Sequence, residues 1–303
     1  MIPYFDFRLE DHLGLPIHLF GILVAIGVLL GDRIVVREGE KRGMDARDVR
    51  YLNIRMVLGG FVMAHLVSVI FYFPERIKES PWILLNLWSG LSSFGGFLGA
   101  ALTYLYLTKK EKIPRLPYAD VVALGLAVGW IFGRLGCTTA HDHPGRYTTF
   151  FLGVHYPPLG MNSPAGVRHD LGFDEFLLTI VMTAILFAYA RRPRPAGRII
   201  GLFATMYAPI RFGLDFLRAT DVPRPDERYA GLTPAQWACM AALGVGIWLL
   251  VRPSPMLEFT GPPPPAPDEQ DRPDKKTGAR TGKKTGSKSG EKKSESATDA
   301  PAA

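Results

Sequence analysis

Apolar residues along this chain gather in long blocks instead of alternating with polar ones. Seven blocks approach or reach membrane-spanning length, near 16–36, 51–73, 82–107, 118–136, 172–190, 198–217 and 233–252. A bilayer core takes about 20 apolar residues as helix, because lipid offers the backbone no hydrogen-bond partner and each amide must be satisfied within its own segment. The pattern predicts an all-α integral membrane protein with seven transmembrane helices. The first block has a short uncharged run, Pro16 to Gly31, and a cleaved signal peptide is its rival. Asp6, Glu10 and Asp11 precede it where such a peptide would be positive, so a retained span is expected.

The polar connections carry an orientation signal. Arg33, Arg37, Lys41, Arg42, Arg47 and Arg50 follow the first block, Lys109, Lys110, Lys112 and Arg115 the third, and Arg191, Arg192, Arg194 and Arg198 the fifth. The alternate loops hold fewer cations. By the positive-inside rule the N-terminus lies outside and the C-terminus is cytoplasmic, which fits an odd number of crossings. The 137–171 segment then forms an exterior loop. The multi-pass membrane domain spans 1–252, followed from 253 by a Pro-rich and then Lys/Ser-rich cytoplasmic tail with too few apolar residues to fold. The net charge of +7 comes from loops and tail, so nucleic acid is not an expected partner. Cys137 and Cys239 make no disulfide framework, and the second sits mid-helix as a small buried hydrophobe.

Ionisable side chains in or beside the spans are the candidates for chemistry, since each costs at least about 2.5 kcal/mol in the bilayer centre. Arg134 closes the fourth span at its outer end. Arg211 lies about 20 Å along the sixth span from Arg198, at 1.5 Å per residue. Asp215 and Arg218 follow at helical spacing, and Tyr207 extends the same face inward. One reading is an Arg–Asp pair that neutralises itself between helices. The other is an anion clamp, because a planar guanidinium grips a phosphate with two parallel charge-assisted hydrogen bonds.

Two further features bear on function. "GLSSFGGFLGA" places Gly90, Gly95, Gly96 and Gly99 where neighbouring helices approach closely or leave room for a ligand. "GRLGCTTAHDHPGR", residues 133–146, gathers Cys137, His141, Asp142 and His143. C-x3-H-x-H is not the spacing of a familiar closed tetrahedral site, so no metal is expected there. Proton transfer near neutral pH, or loop hydrogen bonding, suits the histidines better. Broken helices or a repeat at mid-membrane depth, as a transporter would need, are not evident.

On these residues the chain resembles the phosphatidylglycerol–prolipoprotein diacylglyceryl transferases of bacterial inner membranes. "IPYFDF" is similar to the family's N-terminal amphipathic segment, "IHLFG" to its H-x-Y-G entry, and "SSFGGFLGA" to its S-F-H-G-G stretch. "GRLGCTTAHDHPG" is similar to G-R-[LI]-G-N-F-x-N-G-E-x-x-G and "VRHDLGFDE" to R-H-P-x-Q-x-x-E. "YAPIRFGLDFLRATD" matches the polar sixth span and "GLTPAQ" the opening of the last.

The resemblance implies transfer of the diacylglyceryl group of phosphatidylglycerol to the lipobox cysteine thiol in a prolipoprotein signal peptide, with release of glycerol phosphate; no cofactor is expected, since two arginines can already neutralise the phosphate. It assigns the headgroup to Arg134 and Arg211, with Gly136, Gly145 and Tyr207, supported by Asp215, Arg218, Gly95 and Gly96. The chain departs from the pattern at Phe20, Phe94, Cys137 and Ala140, and Asp142 replaces a glutamate. Asp142, His141 and His143 are therefore the candidates for taking the thiol proton. The rival to a transferase is a silent relative that binds phospholipid or precursor, or one with a changed acceptor.

Overall fold

A computed structural model describes residues 1–5, 18–87, 90–158, 165–222 and 228–261. It is mostly helical, with α1 (Leu19–Lys41), α2 (Ala46–Val67), a short α3 (Pro74–Glu79), α4 (Ser93–Lys110), α5 (Arg115–Ala140), α6 (Leu171–Ala190), α7 (Arg198–Asp215) and α8 (Pro234–Val251). Five of these segments are long and apolar enough to cross a membrane: α1, α2 with its π-turn extension, α5, α6 and α8. The other two long helices fall short for visible reasons. Helix α7 carries Arg198, Arg211 and Asp215, and α4 carries Lys109 and Lys110 after a glycine-rich start.

The third predicted span is shorter than the apolar run suggested. Residues 81–85 form a 3-10 turn opened by Pro81, and Gly90 sits in the left-handed region at φ +71°. Ser92 caps α4 by accepting from the Gly95 amide at 3.3 Å, so the helix starts at Ser93 and not near 82. Large apolar side chains face outward along the helices: Leu29 is 65% exposed and Val181 58%. A lipid-facing surface accounts for that exposure, which in water would be an aggregation liability.

Helices pack in pairs along glycine seams. A Cβ on Gly125 of α5 would lie 2.6 Å from the Gly31 oxygen of α1, and one on Gly99 of α4 would lie 2.5 Å from the Gly59 oxygen of α2. Gly201 and Gly246 do the same for α7 and α8. In lipid the hydrophobic effect does not bring helices together, so close backbone approach at small residues does. Buried polar groups lock the ends. Asp120 of α5 accepts from the amides of Gly197, Ile199 and Ile200 and so caps α7 across the helix gap. Thr233 and Gln236 form a capping box on α8.

The fold is not all-α. The N-terminus and the 137–171 segment together build a four-stranded sheet from β1 (Ile2–Pro3), β2 (Pro144–Tyr147), β3 (Val154–Tyr156) and β4 (Gly166–Asp170), in the order β1-β3-β4-β2. Strands β1 and β3 run parallel and the other pairs antiparallel. The sheet is stitched to the end of α7, where the Arg146 amide donates to Leu217 O at 2.7 Å and the Ala219 amide to Pro144 O at 3.2 Å. Residues 253–261, predicted as the start of a tail, return to the body. Met256–Leu257 (β6) pairs with Arg194–Pro195 (β5), and Phe259 lies under the Arg42 guanidinium. The rest of the predicted tail, and Asp6, Glu10 and Asp11, lie outside the described residues.

Candidate active site

The α5, α6 and α7 helices converge on one buried carboxylate. Glu175 Oε1 lies 2.9 Å from Arg134 Nε and accepts from the Tyr207 hydroxyl at 2.7 Å and from Trp130 Nε1 at 3.3 Å. Arg134, 7% exposed, also lays its guanidinium over the Trp130 ring, 4.5 Å from its centroid. The Arg134–Glu175 contact is a close ion pair without a linear hydrogen bond, since among the described residues the Nε–H has no aligned acceptor. Removing one partner of such a buried pair costs about 3–5 kcal/mol, because the other charge is left uncompensated. Sequence reasoning had not singled out Glu175. An acid four residues into the predicted 172–190 block was the available signal.

A second carboxylate holds the other arginine. Asp215 is fully buried, its Oδ1 3.2 Å from Arg211 Nη2 and 3.9 Å from Arg218 Nη1. Its Oδ2 accepts from Thr233 Oγ1, which ties the end of α7 to the start of α8. The Arg–Asp pair expected on this face is thus formed by Arg211 and Asp215, with Arg218 close to the same carboxylate. The Tyr207 hydroxyl shares the Glu175 carboxylate with Arg134, and Arg211 follows Tyr207 by one turn of α7.

The 137–143 stretch divides. The His141 ring is buried in the cap, with Nδ1 2.5 Å from Asp170 Oδ2 and Nε2 3.1 Å from Phe5 O. Tyr4 stacks on the ring at 4.1 Å, and Tyr156 also donates to Asp170, at 2.9 Å. Burial and the adjacent Asp170 carboxylate push the Tyr156 hydroxyl up. With both ring nitrogens engaged, His141 is a clasp for the sheet, and the sequence offered no sign of a partner 29 positions away. His143 is different. Its Nδ1 lies 2.5 Å from Asp142 Oδ1, and both side chains are partly exposed. Cys137 adjoins this pair: its sulfur and one ligand atom each of Asp142 and His143 lie within 4.8 Å of one another. Arg134 Nη1 is 3.8 Å from the same sulfur.

The glycines serve approach more than ligand contact. A Cβ on Gly136 would meet the Phe20 ring of α1 at 2.8 Å, and one on Gly145 would meet His169 Cβ at 2.7 Å and Leu217 O at 2.9 Å. Gly95 is wedged against α2, where a Cβ would lie 2.7 Å from Met63 O, whereas one on Gly96 would make ordinary contacts. Gly133, beside Arg134, faces open space. Arg168, also missed from the sequence, pins the cap. It holds Asp221 with two hydrogen bonds, donates to Gly145 O at 3.1 Å, and stacks on Tyr147. That guanidinium keeps the Asp221 carboxyl below the usual carboxylate range.

Residues 11–252 match the model of the prolipoprotein diacylglyceryl transferase family. The chain belongs to that family. Among similar proteins, the phosphatidylglycerol–prolipoprotein diacylglyceryl transferase of Nitratidesulfovibrio vulgaris strain DP4 is 30% identical over 237 residues, 77% of this chain and 86% of that protein. Those of Chromohalobacter salexigens and Polynucleobacter asymbioticus are each 30% identical, covering 75% and 83% of this chain and 82% and 97% of their own lengths. Within the transferase family's matched span fall Arg134, Glu175, Tyr207, Arg211 and Asp215.

Proposed function

We propose that this chain transfers the diacylglyceryl group of phosphatidylglycerol to the lipobox cysteine of prolipoproteins, working as a seven-span protein of the bacterial inner membrane with its N-terminus outside and its C-terminus cytoplasmic. The observation that carries this reading is the pair of arginines on α5 and α7, each seated on a buried carboxylate, with the Tyr207 hydroxyl on the same carboxylate as Arg134. Planar guanidinium groups at these two positions can grip a phosphodiester through paired charge-assisted hydrogen bonds.

The reaction forms a bond between the thiolate sulfur and the glycerol carbon of the diacylglyceryl group. The ester C–O bond breaks, and its electron pair leaves on glycerol phosphate. Negative charge grows on the departing phosphate, where fixed guanidinium groups stabilise it more than they do the ground state. His143, oriented by Asp142, is the group to take the thiol proton, and Gly133 leaves room beside Arg134 for an acyl-glycerol backbone. Gly136, Gly145, Asp215 and Arg218 act by holding the arginine-bearing elements in place, and Gly95 and Gly96 by letting α4 approach α2. The test is expression in a strain depleted of its own diacylglyceryl transferase, scored by growth and by the mass of a reporter lipoprotein. Rescue by the wild type and not by Arg134→Ala supports the reading. Full membrane expression without lipidation of the reporter overturns it in favour of a silent phospholipid-binding relative.

A further inference from the structure

The expectation of no metal rested on Cys137, His141 and His143 as the only ligand set, and the fold changes that set. His141 turns into the cap, at φ +49° in the left-handed region, and spends both ring nitrogens on Asp170 and Phe5. Asp142 takes its place beside Cys137 and His143. A thiol, a carboxylate and an imidazole then lie with their ligand atoms within 4.8 Å of one another. Ligands bound to zinc at about 2.0–2.3 Å in tetrahedral arrangement are about 3.5 Å apart, so a modest turn of the partly exposed Asp142 and His143 side chains closes the set.

We propose that Cys137, Asp142 and His143 bind one thiophilic divalent cation of the zinc type. The sulfur and imidazole favour zinc over magnesium or calcium, which take oxygen ligands. Three protein ligands leave a fourth position open, as zinc sites that bind substrate do. The inference rests on the reading above only for its consequence. A thiol entering the open position binds as thiolate, its proton passing to water, so the metal supplies the nucleophile that His143 supplies in the metal-free protein. The chain has a cysteine where its family signature has an asparagine, and the sulfur provides the ligand that makes such a site bind tightly.

The probe is cobalt(II), whose bands report sulfur ligation and tetrahedral geometry. Purified full-length Cys239→Ser protein in detergent, with the second thiol removed, is titrated with cobalt chloride and then displaced with zinc. The expected result is one equivalent bound, with a sulfur-to-cobalt charge-transfer band and intense tetrahedral d–d bands. Cys137→Ser abolishes the charge-transfer band, and Asp142→Asn and His143→Ala weaken binding at least tenfold. His155→Ala and His141→Ala bind as the parent does. Thermal melts of each variant establish that it is folded, and a folded Cys137→Ser protein retaining the charge-transfer band overturns the proposal. So does the absence of saturable binding by the folded parent. The readout involves no turnover: cobalt bound as described without lipoprotein rescue leaves the site standing and removes the transferase reading, and the converse removes only the site.

Discussion

Arg134 Nε and Glu175 Oε1 lie 2.9 Å apart across α5 and α6, on a carboxylate that also accepts from Tyr207. The carboxylate is therefore the part that aims the guanidinium, and the arginine is not a bare charge awaiting a phosphate. Glu175→Gln keeps the shape and the acceptor but removes the charge. It is expected to lower kcat/KM for a lipobox peptide by about 10²-fold, the cost of displacing a reacting group by about 1 Å, with the protein still folded by circular dichroism. A variant with unchanged kcat/KM would show that Arg134 is placed by other contacts.

The two histidines of the 141–143 stretch are expected to separate cleanly. His141→Ala loses a bond to a carboxylate worth about 1.5–3 kcal/mol, so its thermal midpoint falls. His143→Ala, in chelator-treated protein, leaves the midpoint near that of the parent and lowers kcat by about 10²–10⁴-fold, the range for a missing general base. The pair of melting curves and rates checks both.

Much of this division was hidden in the sequence, for a physical reason. Helices announce themselves through long apolar blocks, and the Arg211–Asp215 pair on α7 was legible from their helical spacing. The cap did not. Its strands run from two to five residues, too short for an alternating pattern to register. The clasp between His141 and Asp170 exists only because β4 turns into α6, with Asp170 capping that helix through the Phe173 amide. Apolar content alone also could not tell the 3-10 turn at 81–85 from the helix that begins at Ser93. Glu175 was readable, as a carboxylate inside an apolar block.

Acid is expected to loosen the cap through Asp221. Arg168 depresses this carboxyl below its unfolded value of about 4, so the stability it gives is complete above that value and is lost as pH falls through the folded one. Hydrogen exchange of the β2 and β4 amides should rise as pH drops below about 4 after correction for intrinsic rates. Asp221→Asn should remove that part of the pH dependence.

Glycine substitutions offer an independent check on the helix seams. A methyl at Gly99 would sit 2.4 Å from Met63 Cβ and 2.5 Å from Gly59 O, which forces α2 and α4 apart. A methyl at Gly133 meets nothing within 4 Å. Gly99→Ala should lower the thermal midpoint in detergent and the yield of folded protein, and Gly133→Ala should change neither. Equal effects would contradict the packing described for α2 and α4.

The central claim is group transfer at the paired arginines, and purified protein tests it most directly. A lipobox peptide and phosphatidylglycerol vesicles are incubated with the protein, and peptide mass and glycerol phosphate are followed together. The account predicts one diacylglyceryl group added at the cysteine for each glycerol phosphate released, with Arg134→Lys and Arg211→Lys each slowing the rate more than tenfold because lysine lacks the bidentate fork. Folded wild-type protein that binds phosphatidylglycerol and leaves the peptide mass unchanged would contradict it.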